Sequence, residues 1–219
     1  MVATRENKNS FWQALIVALI IFWTGILIGI FFEDSRVSEI TAFYSDSETA
    51  ISDFEMASNL VFNENLNCER LNDESKIFAD RIYEEAKKLE QYDNSNKITD
   101  RVLHLHKRYD LLRTMLWQKI IENKERCNSS TNTVVYLYKY LTTDIGEVST
   151  QKTMSNYLTE IKVQNPDIIL IPIATDTGIL SLGIMQEIYG ISESPTIIIN
   201  EQKQIKDLSG LSDIQPYLS

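Results

Sequence analysis

The chain has 219 residues, with 31 Asp or Glu against 21 Lys or Arg, so its formal net charge is −10 at pH 7. An acidic surface repels phosphate backbones, which excludes nucleic acid as an expected partner. An apolar fraction of 43% excludes a disordered chain, and the small numbers of Gly (7) and Pro (4) favour regular helices and strands.

The first predicted element is a transmembrane helix over residues 11–32. This stretch, FWQALIVALIIFWTGILIGIFF, contains no Asp, Glu, Lys or Arg. A hydrocarbon core of about 30 Å needs roughly 20 apolar residues, and a single segment in lipid satisfies its backbone only as a helix. A cleaved signal peptide is the alternative, but its apolar region is about 7–15 residues long and ends in small residues. We therefore predict an uncleaved, single-pass anchor in the membrane lipid.

The charges that flank this helix predict its orientation. Arg5 and Lys8 precede it, offset by Glu6, whereas the acidic pair that starts at Glu33 follows it. Because basic flanks stay in the cytoplasm, we predict that residues 1–10 form a cytoplasmic tail and that the rest lies outside the cytoplasm at the cell membrane.

Gly25 and Gly29 form a GxxxG pair within the anchor. Such a pair lets two membrane helices approach closely, which would give a homodimer. Glycine is also simply common in membrane helices, so both interpretations stay open.

Residues 33–127 are predicted to form a helical stalk with three helical runs, at about 35–65, at about 69–91 and after a turn at 92–96. The third run has apolar residues at spacings of four and three, an a/d heptad seam formed by Ile98, Val102, Leu105, Tyr109, Leu112 and Leu116. Its partner is either the second run, folded back as an antiparallel hairpin, or another copy of the chain.

The hairpin predicts a disulfide between the two cysteines, Cys68 and Cys127. Cys68 starts the second run and Cys127 ends the third, so folding at the turn brings them together. Outside the cytoplasm their oxidation is permitted. The alternative is two unpaired thiols, and two cysteines are too few for a zinc site.

His104 and His106 are two residues apart, and on a helix such side chains point away from each other. We therefore interpret this stretch, with Lys107 and Arg108, as a solvated basic face and expect no metal site.

Residues 133–219 are predicted to form an α/β domain. Strands are expected at 133–140, 167–174, 196–200 and 204–208, and helices at 149–163, 177–189 and 212–218. The order strand, helix, strand, helix, strand, strand, helix indicates a sheet with helices on its faces.

The domain resembles a thioredoxin-like domain. The resemblance lies in the buried strand DIILIPIA with Thr175-Asp176-Thr177 after it, in Tyr189-Gly190-Ile191, and in Ser194-Pro195-Thr196 at the start of the strand TIIIN. It implies that Pro195 is the cis-proline of that family. It also implies that Ser194 and Pro195 help to bind a peptide of a protein partner by strand addition. The alternative is that Pro195 only shapes its loop.

The chain departs from the family in the stretch 141–149, LTTDIGEVS, where oxidoreductases carry CxxC. Thiol–disulfide exchange needs a thiolate, so we expect no such catalysis there. Asp176-Thr177-Gly178 also matches the tripeptide of aspartic proteases, which would need a second carboxylate from a dimer. Phosphate-loop, dinucleotide, HExxH and GxSxG motifs are absent, and no cofactor is expected.

These observations predict a membrane-tethered, redox-inactive, non-catalytic adaptor that binds a protein partner outside the cytoplasm. The alternative is an enzyme, either an oxidoreductase relative that uses Cys68 and Cys127 or an aspartic peptidase that uses Asp176. A purely structural coiled coil is a third possibility, if the seam pairs with another copy.

Overall fold

The computed structural model describes residues 4–64, 68–93 and 100–218. The chain divides into two compact units, Met1–Phe43 and Tyr44–Ser219. Helix α1, Thr4–Glu64, is continuous through the predicted anchor and beyond it.

Within the first unit, Ser10–Phe32 is long and apolar enough to cross a membrane. Its large apolar side chains are exposed in the isolated chain, as the side chains of a lipid-facing helix would be. The one hydroxyl of this segment that would face hydrocarbon, Thr24 Oγ1, donates to the carbonyl oxygen of Ile20 at 2.7 Å and is therefore satisfied within the helix.

In the second unit, α2 (Cys68–Asp93) packs against α3 (Asp100–Cys127). Cys68 at the start of α2 lies beside Cys127 at the end of α3, so the two helices run antiparallel. The predicted seam is buried at its four described side chains, Leu105, Tyr109, Leu112 and Leu116. Ile98 and most of the predicted turn lie outside the described residues, as does the side chain of Val102.

The last third of α1 also packs in this unit. Ile51 is buried, and two ion pairs link the helix to α3, from Arg108 to Glu48 at 3.8 Å and from Lys119 to Glu55 at 3.4 Å. Both pairs are partly exposed, so each contributes no more than about 1 kcal/mol, and the buried apolar contact matters more.

The sheet has four strands in the order β2-β1-β3-β4. The elements are β1 (Thr133–Tyr138), α4 (Ile145–Gln164), β2 (Ile169–Ala174), α5 (Leu180–Ile188), β3 (Thr196–Ile199) and β4 (Lys203–Ile205). Strands β1 and β2 are parallel, β3 is antiparallel to β1, and β4 is antiparallel to β3. The predicted α/β class with a mixed sheet and helices is therefore confirmed.

Both faces of the sheet are buried, which explains why its strands are almost continuously apolar. One face forms a core with α4 and the carboxyl-terminal segment, through Val134, Tyr136, Met154, Leu158 and Ile214. Alternate side chains such as Val135 and Leu137 point to the other face, where α3 contacts β2 and α5. Helix α2 lies against the edge strand β2, so α2, α3 and the sheet belong to one compact unit.

All three predicted helices of the domain differ from those observed, and α5 differs only in length, Leu180–Ile188 rather than 177–189. Helix α4 begins at Ile145 rather than 149, because the Asp144 carboxylate accepts the backbone N–H of Glu147 at 2.8 Å and caps it. The predicted helix 212–218 is instead two 3-10 turns, Leu211–Asp213 and Gln215–Tyr217. Pro216 supplies no N–H there, so one regular helical ladder cannot run through the segment.

The two cysteines lie at disulfide distance, with Sγ atoms 2.05 Å and Cα atoms 5.7 Å apart, across a sequence separation of 59. The predicted pair is thus present at the open end of the α2–α3 hairpin. A cross-link there restricts the conformations of the unfolded chain and joins the start of α2 to the end of α3.

We predict that replacing both cysteines with serine lowers the free energy of unfolding by about 4 kcal/mol. The unfolded chain then regains the conformational entropy that the disulfide removes from a loop of this length. Urea titration of the full chain in detergent, followed by circular dichroism, measures the change. The wild-type chain in reductant should lose a similar amount. Two reactive thiols in the denatured chain without reductant would contradict the pairing.

Candidate functional site

Three segments meet at the edge of the sheet where β1 and β2 end. Because β1 and β2 are parallel, the loop 139–144 and the segment Thr175-Asp176 leave the sheet side by side. Strand β3 is antiparallel to β1 and starts at this edge, since Thr196 pairs with Leu137. Ser194 and Pro195 therefore lie there as well. We call this arrangement the carboxyl-end site, the edge of an open α/β sheet where ligands commonly bind.

The Asp176 carboxylate holds the first half of the loop. Its Oδ1 accepts the backbone N–H of Tyr140 at 2.8 Å, and its Oδ2 accepts that of Leu141 at 2.7 Å. Both oxygens are thus engaged by backbone donors, which gives the predicted protease-like aspartate a clear role in shaping the site.

Helix α4 holds the loop from its other side. The Gln151 side chain accepts the backbone N–H of Lys139 at 2.6 Å and donates to the Lys139 carbonyl oxygen at 3.1 Å. Glu147 pairs with the Lys139 ammonium at 2.8 Å and accepts the hydroxyl of Thr142. Hydrogen bonds from Lys139 and Thr142 lower the pKa of Glu147, so it is ionised at neutral pH. Side chains therefore bind the backbone donors of 139–141, and the loop is fixed.

Thr175 joins the loop to the predicted peptide-binding residues. Its backbone N–H and its hydroxyl both bond to the Tyr138 carbonyl oxygen, at 2.8 and 3.0 Å. The same hydroxyl lies 3.1 Å from Ser194 Oγ. The Ser194–Pro195 peptide bond is cis, as the resemblance implied.

A buried ion pair lies beneath the site. The Asp110 carboxylate, wholly buried, contacts Arg113 Nη1 at 3.0 Å and accepts the backbone N–H of Ala174, the last residue of β2, at 3.1 Å. It also accepts the Thr177 hydroxyl at 3.4 Å. Burial raises the pKa of Asp110, while the Arg113 charge and the Ala174 N–H act to lower it.

The prediction for His106 is wrong. His104, Lys107 and Arg108 are exposed as expected, but His106 is 3% exposed and its ring stacks on Tyr140 with centroids 3.7 Å apart. Helix α3 has a second buried face, toward the sheet, and His106 belongs to it.

That second face contains the residues that sequence reasoning missed. Its members repeat at spacings of four, three, four and three, like the apolar seam: His106, Asp110, Arg113, Trp117 and Ile120 are all buried. The periodic signal is present in the sequence, but it is carried by mixed polar and apolar residues, so a search for apolar repeats does not find it.

Three apolar side chains are exposed at the site, and the site lacks a thiol. Ile145, at the start of α4, is 86% exposed, Leu180, at the start of α5, is 82% exposed, and Leu141, in the loop before α4, is 40% exposed. Cys127 precedes the opposite end of β1, roughly 17 Å away by the length of a six-residue strand. In the described part of the chain, no group of three His, Cys, Asp or Glu could hold a metal ion.

Comparisons with protein-family models, with curated proteins and with solved structures found no match to this chain.

We predict that Asp176→Ala loosens the loop, because two backbone donors lose a charged acceptor. The free energy of unfolding should fall by about 1–3 kcal/mol. Amide hydrogen exchange should accelerate at Tyr140 and Leu141 but not in the β1 interior at Val135. Asp176→Asn retains one acceptor oxygen and should have a smaller effect. Unchanged exchange at Tyr140 and Leu141 in the alanine variant would contradict this role.

We predict that Arg113→Met costs about 3–5 kcal/mol at pH 7, because it leaves a buried carboxylate without its counter-charge. Asp110→Leu combined with Arg113→Met should cost less than Arg113→Met alone. Asp110 has a folded pKa above its unfolded value, so its ionisation costs stability as pH rises between the two. The deficit of Arg113→Met should therefore shrink toward the ordinary aspartate pKa. Thermal unfolding at several pH values measures this, and a deficit that grows on acidification would refute it.

Proposed function

We propose that this chain is a membrane-tethered, non-catalytic adaptor that binds a protein partner through a redox-inactive thioredoxin-like domain outside the cytoplasm. The observation that carries the proposal is the carboxyl-end site, where a fixed, thiol-free loop, Ser194-Pro195 and exposed apolar side chains share one edge of the sheet.

The sheet supports the thioredoxin-like assignment. The predicted order of strand, helix, strand, helix, strand, strand is present, and its strands form a parallel pair, β1 and β2, followed by an antiparallel hairpin, β3 and β4. The position of Ser194-Pro195 at the start of β3, in hydrogen-bond reach of Thr175, is a second point of agreement.

The non-catalytic assignment rests on what occupies the place of CxxC. Asp176 and Gln151 bind the loop backbone there, and no cysteine occurs in it. The two cysteines of the chain are bonded to each other at the opposite end of the sheet. A thiolate nucleophile at this site would therefore have to come from another molecule.

Binding is favoured by the surface that remains. Ile145 and Leu180 expose apolar side chains at the edge of the sheet where Ser194 and Pro195 also lie, which suits contact with another polypeptide better than with water. Strand addition would supply main-chain hydrogen bonds, and the apolar side chains would supply selectivity.

The anchor supports the location. The basic residues before Ser10–Phe32 and the acidic residues after it favour an amino terminus on the cytoplasmic side of the membrane. The disulfide suits an oxidising compartment outside the cytoplasm. Gly25 and Gly29 offer a surface for a homodimer within the membrane.

The adaptor proposal predicts that Ile145→Asp weakens capture of the partner at least about tenfold, because a charge then occupies the apolar rim of the site. The full chain in detergent is immobilised, and solubilised membranes of the source cells are passed over it. Val163→Asp is the matched control, since Val163 is 74% exposed on the same helix near its far end. Equal capture by the two variants would contradict the proposal.

Insulin reduction by the same preparations distinguishes the adaptor from an enzyme. If the chain is an adaptor, dithiothreitol should reduce insulin in its presence no faster than the uncatalysed rate. Activity that disappears in Cys68→Ser would replace the proposal with an oxidoreductase that uses the cysteine pair.

A further inference from the structure

An open groove of about 510 Å³ lies beside the carboxyl-end site, between α2 and α4 above the β1–β2 part of the sheet. It begins at Tyr140 and Thr142, which belong to the site loop, and continues along α4 from Val148 to Thr159. These twelve residues of helix span roughly 16 Å from first to last, which is the length of about five extended residues. The groove is therefore continuous with the proposed binding edge and has the length of a short peptide.

The charge of the groove is opposite to that of the chain. Three lysines, Lys87, Lys139 and Lys152, line it, and among its described lining residues none is Asp or Glu. This is unusual in a chain with a net charge of −10. Lys87 and Lys139 pair with Glu84 and Glu147, which lie just outside the lining. Such exposed pairs contribute little to stability, so incoming carboxylates can share or replace these partners.

The walls and floor of the groove are aromatic. Tyr83 comes from α2, while Tyr136 and Tyr138 stack on each other on the sheet with ring centroids 5.6 Å apart. The Lys87 ammonium lies 4.5 Å from the centre of the Tyr83 ring, so the cation is already held at the groove wall. Tyrosine gives a large contact area with few rotatable bonds and is enriched in surfaces that bind polypeptides.

We propose that this groove binds an extended, acidic segment of the protein partner, in which carboxylates meet the lysines and intervening apolar side chains contact the tyrosines. This rests on the proposed adaptor function, because the groove then continues the carboxyl-end site. An extended segment suits the groove because alternate side chains point to opposite sides, so carboxylates and apolar groups can face different walls.

The test measures fluorescence anisotropy of a short labelled peptide in which glutamate and valine alternate, titrated with the full chain in detergent. We expect the Lys87→Glu/Lys152→Glu variant to weaken binding at least about tenfold, since two favourable charges are reversed. Arg70→Glu/Lys203→Glu makes the same change in net charge outside the groove and should bind within about twofold of wild type. A peptide with lysine in place of glutamate should not bind.

Carbodiimide cross-linking then locates the peptide. Links from its carboxylates to Lys87 or Lys152 support the proposal, and links that map only to lysines outside the groove overturn it. Links from these lysines to carboxylates of a second copy, formed without peptide, also overturn it, since the occupant would then be the chain itself.

The two proposals can fail separately. Unchanged peptide binding in the groove variant, together with weaker partner capture by Ile145→Asp, would refute the groove but leave the adaptor intact. If Ile145→Asp and Val163→Asp capture the partner equally while the groove still binds the peptide, the adaptor alone is refuted.

Discussion

A buried carboxylate needs donors on every side, because burial removes the water that would otherwise stabilise its charge. Asp110 obtains them from two directions, from Arg113 one turn along its own helix and from the backbone of Ala174 at the end of β2. A slip of α3 along the sheet would keep the Arg113 contact but would remove the backbone N–H of Ala174 from the Asp110 carboxylate. The Asp110–Ala174 hydrogen bond therefore favours a single register between helix and strand, and His106 on the same face is placed to stack on Tyr140 in the site loop.

The two ends of the sheet are held by different chemistry. At the carboxyl end, Asp176, Gln151 and Thr175 bind backbone groups of the loop and leave an apolar rim exposed. At the opposite end, Glu201 accepts from Lys124 at 2.8 Å and from the Thr133 hydroxyl at 2.6 Å, and so joins the β3–β4 turn to α3. The disulfide, which ends α3 at Cys127, reinforces that second end. The disulfide and the exposed apolar edge are thus separated by the length of a strand.

Under the proposed function, this separation lets the apolar edge contact a partner while the disulfide holds the opposite end of the sheet. A catalytic version of the edge needs a reactive thiol at the start of the first domain helix. Here the helix start is capped by Asp144, and its first residue is the exposed Ile145. A carboxylate at this position would disfavour a thiolate, whereas a rigid apolar edge costs a partner little ordering entropy. The lysine groove beside it gives an acidic molecule a local site where acidic segments are not repelled.

Much of the fold could be predicted from the sequence because its signals are local. The apolar run at Ser10–Phe32 is a matter of length and composition, and the strand and helix order follows from short-range periodicity. The Cys68–Cys127 pair could also be expected, since only the hairpin geometry was needed. Ser194 and Pro195 stand directly before β3, at the strand start where the resemblance placed them.

Long-range packing decided the rest. Periodicity along α3 identifies an apolar seam, but it cannot show that α3 has a second face against β2, because buried polar residues are paid for only by partners distant in sequence. Asp110, Arg113 and His106 therefore resemble surface residues until the sheet is placed beside them. The groove has the same origin, since its lysines and tyrosines come from α2, β1, the loop 139–144 and α4. The sequence by itself determined the long apolar helix near the amino terminus, the order of elements and the absence of a thiol at the candidate site. Only the tertiary structure decided which charges are buried, which side chains fix the loop and which form a surface, because those depend on contacts between residues far apart in the chain.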